Sequence, residues 1–284
     1  MSTVSSQIGT QALAQQTLSD VQGSQLPRTT VVAGGNSYVY DAHGLIASGA
    51  DGKVFLGKDA RDGDVCIKVA KDSGFAAAGT EYRALSLLAP HASIVASLDY
   101  DETSHTLVIE RCDTKIDKAE ELSKGIKVKA GWIASLKEGV DFMHAKSVAH
   151  GDLNMKNMLL KSDQALIADF GGAKIFGDQL SLTLPLDPSL EGLGIDAPTI
   201  TKQQAMEDDK KDFLKMSFNI LAARLGDREL PTGAERDTAL ADLPSSAREI
   251  FFGDASVSDR YQRLPGLLAQ LKSPQEVVDL SKLA

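Results

Sequence analysis

The chain has 284 residues, of which 43% are hydrophobic and 24% charged. That is globular composition with room for one large or two small domains. Its formal net charge of −9 argues against general binding of nucleic acid or anionic membrane, because the phosphate-driven term would be repulsive. No apolar run approaches the roughly 20 residues of a membrane-spanning helix. The two cysteines, Cys66 and Cys112, each sit in an apolar run. They suggest neither a disulfide framework nor a metal cluster, and fit a protein that works reduced in a cytosol.

The first 27 residues contain 5 Ser, 3 Thr and 6 Gln, and Asp20 is their only charged side chain. Such a segment can bury little, so residues 1–30 are expected to be disordered. It lacks the basic start and apolar core of a secretory signal peptide. Its composition resembles the uncleaved export signals of bacterial type III effectors, which implies secretion into a host cell cytoplasm.

In "LIASGADGKVFLG", residues 45–57, Gly49 and Gly52 let the backbone approach a ligand closely and turn N–H groups toward phosphate oxygens. In "VCIKVAK", residues 65–71, strand alternation puts Val65, Ile67 and Val69 on one face and Cys66 and Lys68 on the other. A mid-strand lysine needs a partner. Glu81 is a candidate, since with Leu85 and Leu88 it marks one face of a helix. Residues 106–112 predict a buried strand that runs into a loop at Glu110. Residues 126–143 predict a helix through Trp132, Ile133, Leu136, Val140 and Met143.

The stretch "VAHGDLNMKNMLL", residues 148–160, follows that helix. "ALIADFGGAK", residues 165–174, is an apolar strand ending at Asp169. Between Asn157 and Asp169 there is room for two short strands with a turn at 161–164. Asp152, Asn157 and Asp169 thus offer oxygens that could converge on a hard cation such as Mg²⁺, which is bound by carboxylates together with substrate phosphates. Metal ions, a lysine clamp and a carboxylate that orients the attacking hydroxyl are the kit of phosphoryl transfer.

The order of these motifs resembles the protein kinase family: a Gly-rich loop, a strand lysine, a helix glutamate, His-x-Asp with its Asn, and Asp-Phe-Gly. The resemblance spans roughly residues 43–273. It implies an α+β fold of two lobes, with a β-rich N-lobe carrying one main helix and the hinge over 31–112, and a mostly helical C-lobe over 113–284. It implies ATP and Mg²⁺ as cofactors and a protein as substrate. Asp152 would be the catalytic base and Lys68 the phosphate clamp, fixed by Glu81. Lys156 would offset transition-state charge, and Asn157 and Asp169 would hold the metal. Ala47, Gly49, Gly52 and Val54 would cover the nucleotide. Cys66 would roof the adenine pocket, with Ile109 as gatekeeper and Glu110 to Cys112 as hinge. Asp212 would accept hydrogen bonds from the catalytic-loop backbone, at the start of a helix over 212–226. The last helix, over 259–271, would carry Arg260.

Some residues depart from the family pattern. Ala47 stands for the first loop glycine. Gly151 replaces the catalytic-loop arginine that receives an activation-segment phosphate, so activity without such phosphorylation is expected. Thr199 replaces the glutamate of Ala-Pro-Glu, which would leave Arg260 without its usual partner. Asn154 stands where serine/threonine kinases carry a cation, and Lys156 where many tyrosine kinases do; Ser or Thr is the favoured acceptor. Only 13 residues separate Lys68 from Glu81, fewer than usual. Combined with the N-terminal segment, the pattern implies a monomeric bacterial effector kinase acting on host proteins, with room for a host activator. The alternatives are a small-molecule kinase, since "HGDL" also resembles aminoglycoside and choline phosphotransferases, and a non-catalytic pseudokinase scaffold.

Overall fold

A computed structural model describes residues 28–179, 181–183 and 199–273. Its smaller lobe is an antiparallel sheet of β1 (Arg28–Ala33), β2 (Asn36–Ser48), β3 (Gly52–Lys58), β4 (Asp64–Ala70), β5 (Ser97–Asp101) and β6 (Thr106–Glu110), in the spatial order β1-β2-β3-β4-β6-β5. Gly34 and Gly35 join β1 to β2 with φ of 54° and 85°, the left-handed pair that a two-residue hairpin turn demands. The sheet curls until β1 packs on β5 and β6. Asn36 Nδ2 donates to Asp99 Oδ2 at 2.9 Å across the closure, and Tyr38 Oη donates to the same carboxylate. Ala33, Tyr38, Val65, Ile67 and Val108 fill the inside of the curl.

Strand β4 keeps the expected alternation. Val65 and Ile67 face the curl, while Cys66 belongs to the main core on the other side. The β1 strand starts earlier than expected: residues 28–30, assigned above to a disordered segment, are its first three. Thr29, Thr30, Val31 and Val32 are β-branched residues that pair with β2 in register, Thr30 opposite Val39, and such residues suit a pleated surface. Residues 1–27 lie outside the described residues.

Helix α1 (Phe75–Leu88) crosses behind this sheet with Glu81, Leu85 and Leu88 buried. The stacked rings of Tyr82 and Tyr100, 4.7 Å apart, tie it to β5. The larger lobe follows: β7 (Thr114–Lys115), α2 (Ala119–Leu122), α3 (Ile126–Ala145), β8 (Val148–Ala149), β9 (Met158–Lys161), β10 (Gln164–Ile167), β11 (Lys174–Ile175), β12 (Ser181–Thr183), β13 (Thr199–Thr201), α4 (Lys202–Leu221), α5 (Gly233–Leu240), α6 (Ser246–Phe252) and α7 (Val257–Lys272). The expected α+β, two-lobed architecture is the one observed.

All five apolar positions expected on α3 are buried. The β9–β10 hairpin turns at Ser162 and Asp163, both with positive φ, inside the span expected for a turn. Helix α4 begins at Lys202 rather than 212, because Thr201 Oγ1 accepts the Gln204 N–H at 3.1 Å and caps it there. Phe213 of α4 meets Tyr261 of α7 edge-on at 5.7 Å. Each fully buried side chain of this size contributes about 1.5–3 kcal/mol of burial. This helical core is the platform on which the loop 150–157 rests. Among the described residues no helix is long and apolar enough to cross a membrane.

Candidate active site

The loop after β8 is pinned by hydrogen bonds on every side. His150 is fully buried. Its Nδ1 accepts the Asp152 N–H at 3.2 Å and its Nε2 donates to Ala168 O at 3.1 Å. That pair of bonds needs the neutral ring, and burial pushes the imidazole below its ordinary value. Asp152 carries a carboxylate held at both oxygens: Asn154 Nδ2 donates to Oδ1 at 2.9 Å, and Asn157 Nδ2 to Oδ2 at 3.0 Å. Asn154 is itself fixed, because its Oδ1 accepts the Lys156 N–H at 2.9 Å. The Lys156 side chain is exposed and makes no ion pair with any described residue.

Asp209, not Asp212, supports this loop from below. Its Oδ2 accepts the His150 N–H at 2.7 Å and its Oδ1 the Gly151 N–H at 2.9 Å. His144 Nε2 adds a third contact at 2.9 Å. Asp209 is 1% exposed, whereas Asp212 lies one turn further along α4 and reaches only Lys215, at 3.8 Å. The helix phase decides between them. Ala205, Asp209, Phe213, Met216 and Ile220 form the buried stripe of α4, and Asp212 falls beside it. That stripe is the signal in the sequence that could have located Asp209.

Gly151 has φ of 80°, and a Cβ there would lie 2.7 Å from both Gly172 O and Lys174 Nζ. The backbone excludes a side chain at this position, and the Lys174 ammonium fills the adjacent space. Arg260 does not lack partners. Its guanidinium donates to the carbonyl oxygens of Ala255 and Phe251, both at 3.1 Å, so backbone carbonyls satisfy it in place of the glutamate that Thr199 replaces. Ala197 and Pro198 lie outside the described residues.

On the facing lobe, Lys68 Nζ lies 2.6 Å from Glu81 Oε2 and 2.7 Å from Asp169 Oδ1. The short connection between Lys68 and Glu81 therefore does not keep them apart. Burial opposes the charge on Lys68, but the carboxylates of Glu81 and Asp169 outweigh it and raise its pKa. Burial pushes the Glu81 carboxyl up, and Lys68 opposes that shift. Asp169 holds the left-handed conformation, φ 65°, which costs a non-glycine residue on the order of 1–3 kcal/mol. The buried Phe170 ring beside it packs on His150 at 4.7 Å, and the turn Phe170–Gly172 packs on α1.

The donor set fits a hard cation. Asn157 points its amide N–H groups at Asp152, leaving Oδ1 free among the described residues. Asp169 engages Lys68 through Oδ1 only, leaving Oδ2. Among the described residues no cluster of three or more His, Cys, Asp or Glu forms a self-contained metal cage. Asn157 Oδ1 and Asp169 Oδ2 are hard oxygen donors of the kind that bind a divalent cation together with phosphates and water.

At the rear of the cleft Cys66 pairs with Ile109 across β4 and β6. Val54 packs against the same core, and Ala47 pairs with Val54. The Glu110 side chain turns away from the cleft: Oε1 accepts the Ala96 N–H at 2.8 Å, and Oε2 pairs with Lys161. Its backbone N–H is engaged as well, donating to Ala96 O at 3.0 Å. Burial, then Glu110, pushes the Cys112 thiol up to about 12, so it is a packing thiol rather than a nucleophile.

The family model described as "Protein kinase domain" matches residues 40–222. The chain belongs to the protein kinase family. This kinase is 31% identical over 167 residues to cyclin-dependent kinase 4 of Mus musculus, covering 51% of this chain and 55% of that protein. It is 30% identical over 157 residues to the serine/threonine-protein kinase PkaB of Streptomyces coelicolor, covering 48% of this chain and 37% of that one. The kinase thus spans about half the length of the mouse relative, or less of the bacterial one. Membership of the family carries use of ATP and a divalent metal in general terms.

Proposed function

We propose that the protein is an active, ATP- and Mg²⁺-dependent protein kinase that phosphorylates Ser or Thr hydroxyls. One observation carries this reading: Lys68 bridges Glu81 and Asp169 at 2.6 and 2.7 Å while the Asp152 carboxylate is held by two amides. Lys68 would bind the α- and β-phosphates with Glu81 fixing its direction. Asn157 and Asp169 would hold Mg²⁺, which would neutralise phosphate charge when bound. Asp152 would orient the acceptor hydroxyl and take its proton. The acceptor oxygen would form a bond to the γ-phosphorus as the bond from that phosphorus to the β,γ-bridging oxygen breaks. Lys156, unpaired among the described residues, would offset charge on the transferring group.

The test is incubation of purified protein with γ-labelled ATP and Mg²⁺, against cell lysate and a panel of small-molecule alcohols, with Asp169→Ala as control. Labelled phosphoserine or phosphothreonine on protein, lost in the variant, is the expected result. Label on small molecules alone would instead establish a small-molecule phosphotransferase. No label from the wild type would establish a scaffold.

We also propose that residues 1–27 act as a bacterial export signal that delivers the kinase to host proteins. The support is composition alone: 14 Ser, Thr and Gln (5, 3 and 6) and a single charged side chain. Fusion of residues 1–27 to a translocation reporter tests it, and a reporter retained in secretion-competent bacteria overturns it.

A further inference from the structure

The segment between β4 and α1 is short: Lys71, then the turn Asp72–Gly74. It binds all three carbonyl oxygens of the glycine-loop tip. Lys71 Nζ donates to Gly49 O at 2.5 Å. Ser73 Oγ donates to Ala50 O at 3.3 Å. The Lys71 N–H donates to Asp51 O at 2.8 Å. Within the tip, the Gly49 N–H closes on Gly52 O at 2.9 Å. Gly74 lets the two segments meet, because a Cβ there would lie 1.9 Å from Asp51 O. Its φ is −102°, so alanine is conformationally acceptable and only the contact forbids it.

With the carbonyls taken from one side, the N–H groups of Ala50 and Asp51 donate to no other described residue. Peptide groups fixed by their oxygens present their N–H groups in a fixed direction, and such bare N–H groups suit phosphate oxygens. A loop ordered before binding also loses less entropy on binding.

We propose that residues 71–74 form a latch that pre-shapes the glycine loop for nucleotide, with Lys71 and Ser73 as positioning residues and Gly74 as the contact that admits them. This role rests on the nucleotide-binding reading above. The latch affects binding of the nucleotide and not the transfer step, so its loss should separate KM from kcat.

The experiment compares wild type, Lys71→Met, Gly74→Ala and the charge control Lys53→Met, since Lys53 is exposed on neighbouring β3. Amide hydrogen exchange over residues 49–53 should quicken in Lys71→Met and Gly74→Ala and not in Lys53→Met. Calorimetry with MgADP should show about tenfold weaker binding for Lys71→Met, the lower end for loss of one exposed hydrogen bond from a charged donor, and a larger loss for Gly74→Ala. KM for ATP should rise in step, with kcat within about twofold, as uniform binding requires. Unchanged exchange in both latch variants overturns the proposal. So does unchanged MgADP affinity, or an equal loss in Lys53→Met, which would reduce the effect to net charge. Wild-type protein that binds no MgADP would overturn the nucleotide reading and the latch's role in it, while the exchange data would still report whether the latch holds the loop.

Discussion

Replacing Asp209 by Ala should destabilise the larger lobe far more than the same change at Asp212. Asp209 accepts two backbone N–H bonds, at 2.7 and 2.9 Å, and contacts His144. A hydrogen bond to a charged group contributes about 1.5–3 kcal/mol. Two such bonds give about 3–6 kcal/mol, and the lower part of that range applies because Gly151 sits at the solvent edge. A loss of roughly 3–4 kcal/mol corresponds to a fall in Tm on the order of 10 °C for a domain of this size. Asp212 reaches Lys215 at 3.8 Å with 38% of its side chain exposed, a pair worth less than about 1 kcal/mol. Equilibrium unfolding in urea, read by the fluorescence of Trp132, the single tryptophan and a buried one, measures both. Equal losses in Asp209→Ala and Asp212→Ala, or a loss below about 1 kcal/mol in the former, would refute the assignment of the loop support to Asp209.

Three further outcomes are expected. Glu81→Gln keeps the shape of a buried side chain but leaves Lys68 to Asp169 alone; kcat/KM should fall about 10²-fold with little change in unfolding midpoint, and wild-type kinetics would count against the clamp. Asn154→Ala frees one oxygen of Asp152 and uncaps Lys156 N–H; kcat should drop about tenfold with KM for ATP unchanged, whereas a KM effect alone would place Asn154 in nucleotide binding. Burial holds His150 below its ordinary value of 6.5, so below that pH the unfolded chain binds a proton the folded ring refuses. The stability His150 confers is therefore complete above pH 6.5 and declines as pH falls below it. The ring should keep its neutral Nε2–H form at pH 6 by ¹⁵N NMR, and an imidazolium signal there would contradict the buried geometry.

Much of the site was legible because its residues violate their surroundings. Lys68 in an apolar strand, Glu81 on an apolar helix face and Asp169 at the end of an apolar run each need a partner, and the structure brings those three together. The two-lobed fold followed from the same order of motifs. What was not legible depends on conformation rather than residue type. Asp209 and Asp212 are chemically alike, and only the phase of a helix that begins at Lys202 separates them. The β1–β2 hairpin lay hidden because residues 28–33 pair with a strand whose role emerges only when the sheet curls. Gly151 reads from sequence as a missing arginine, yet its positive φ and the Lys174 ammonium beside it are products of how β8 and β11 meet. Asn154 reads from sequence as an absent cation, while its two bonds clamp Asp152, two positions earlier.

The brevity of the Lys68–Glu81 connection acts on more than the ion pair. Strand β4 ends at Ala70 and α1 starts at Phe75, so only Lys71–Gly74 bridge them. They lie against the glycine-loop tip, and Gly74 makes that approach sterically feasible. The same constraint starts α1 close to the sheet and sets Glu81 less than two helical turns into it, within reach of Lys68. Lengthening the connection would release the loop tip and the helix together. The geometry of the phosphate-facing loop and of the Lys68–Glu81 pair are thus two consequences of one short segment.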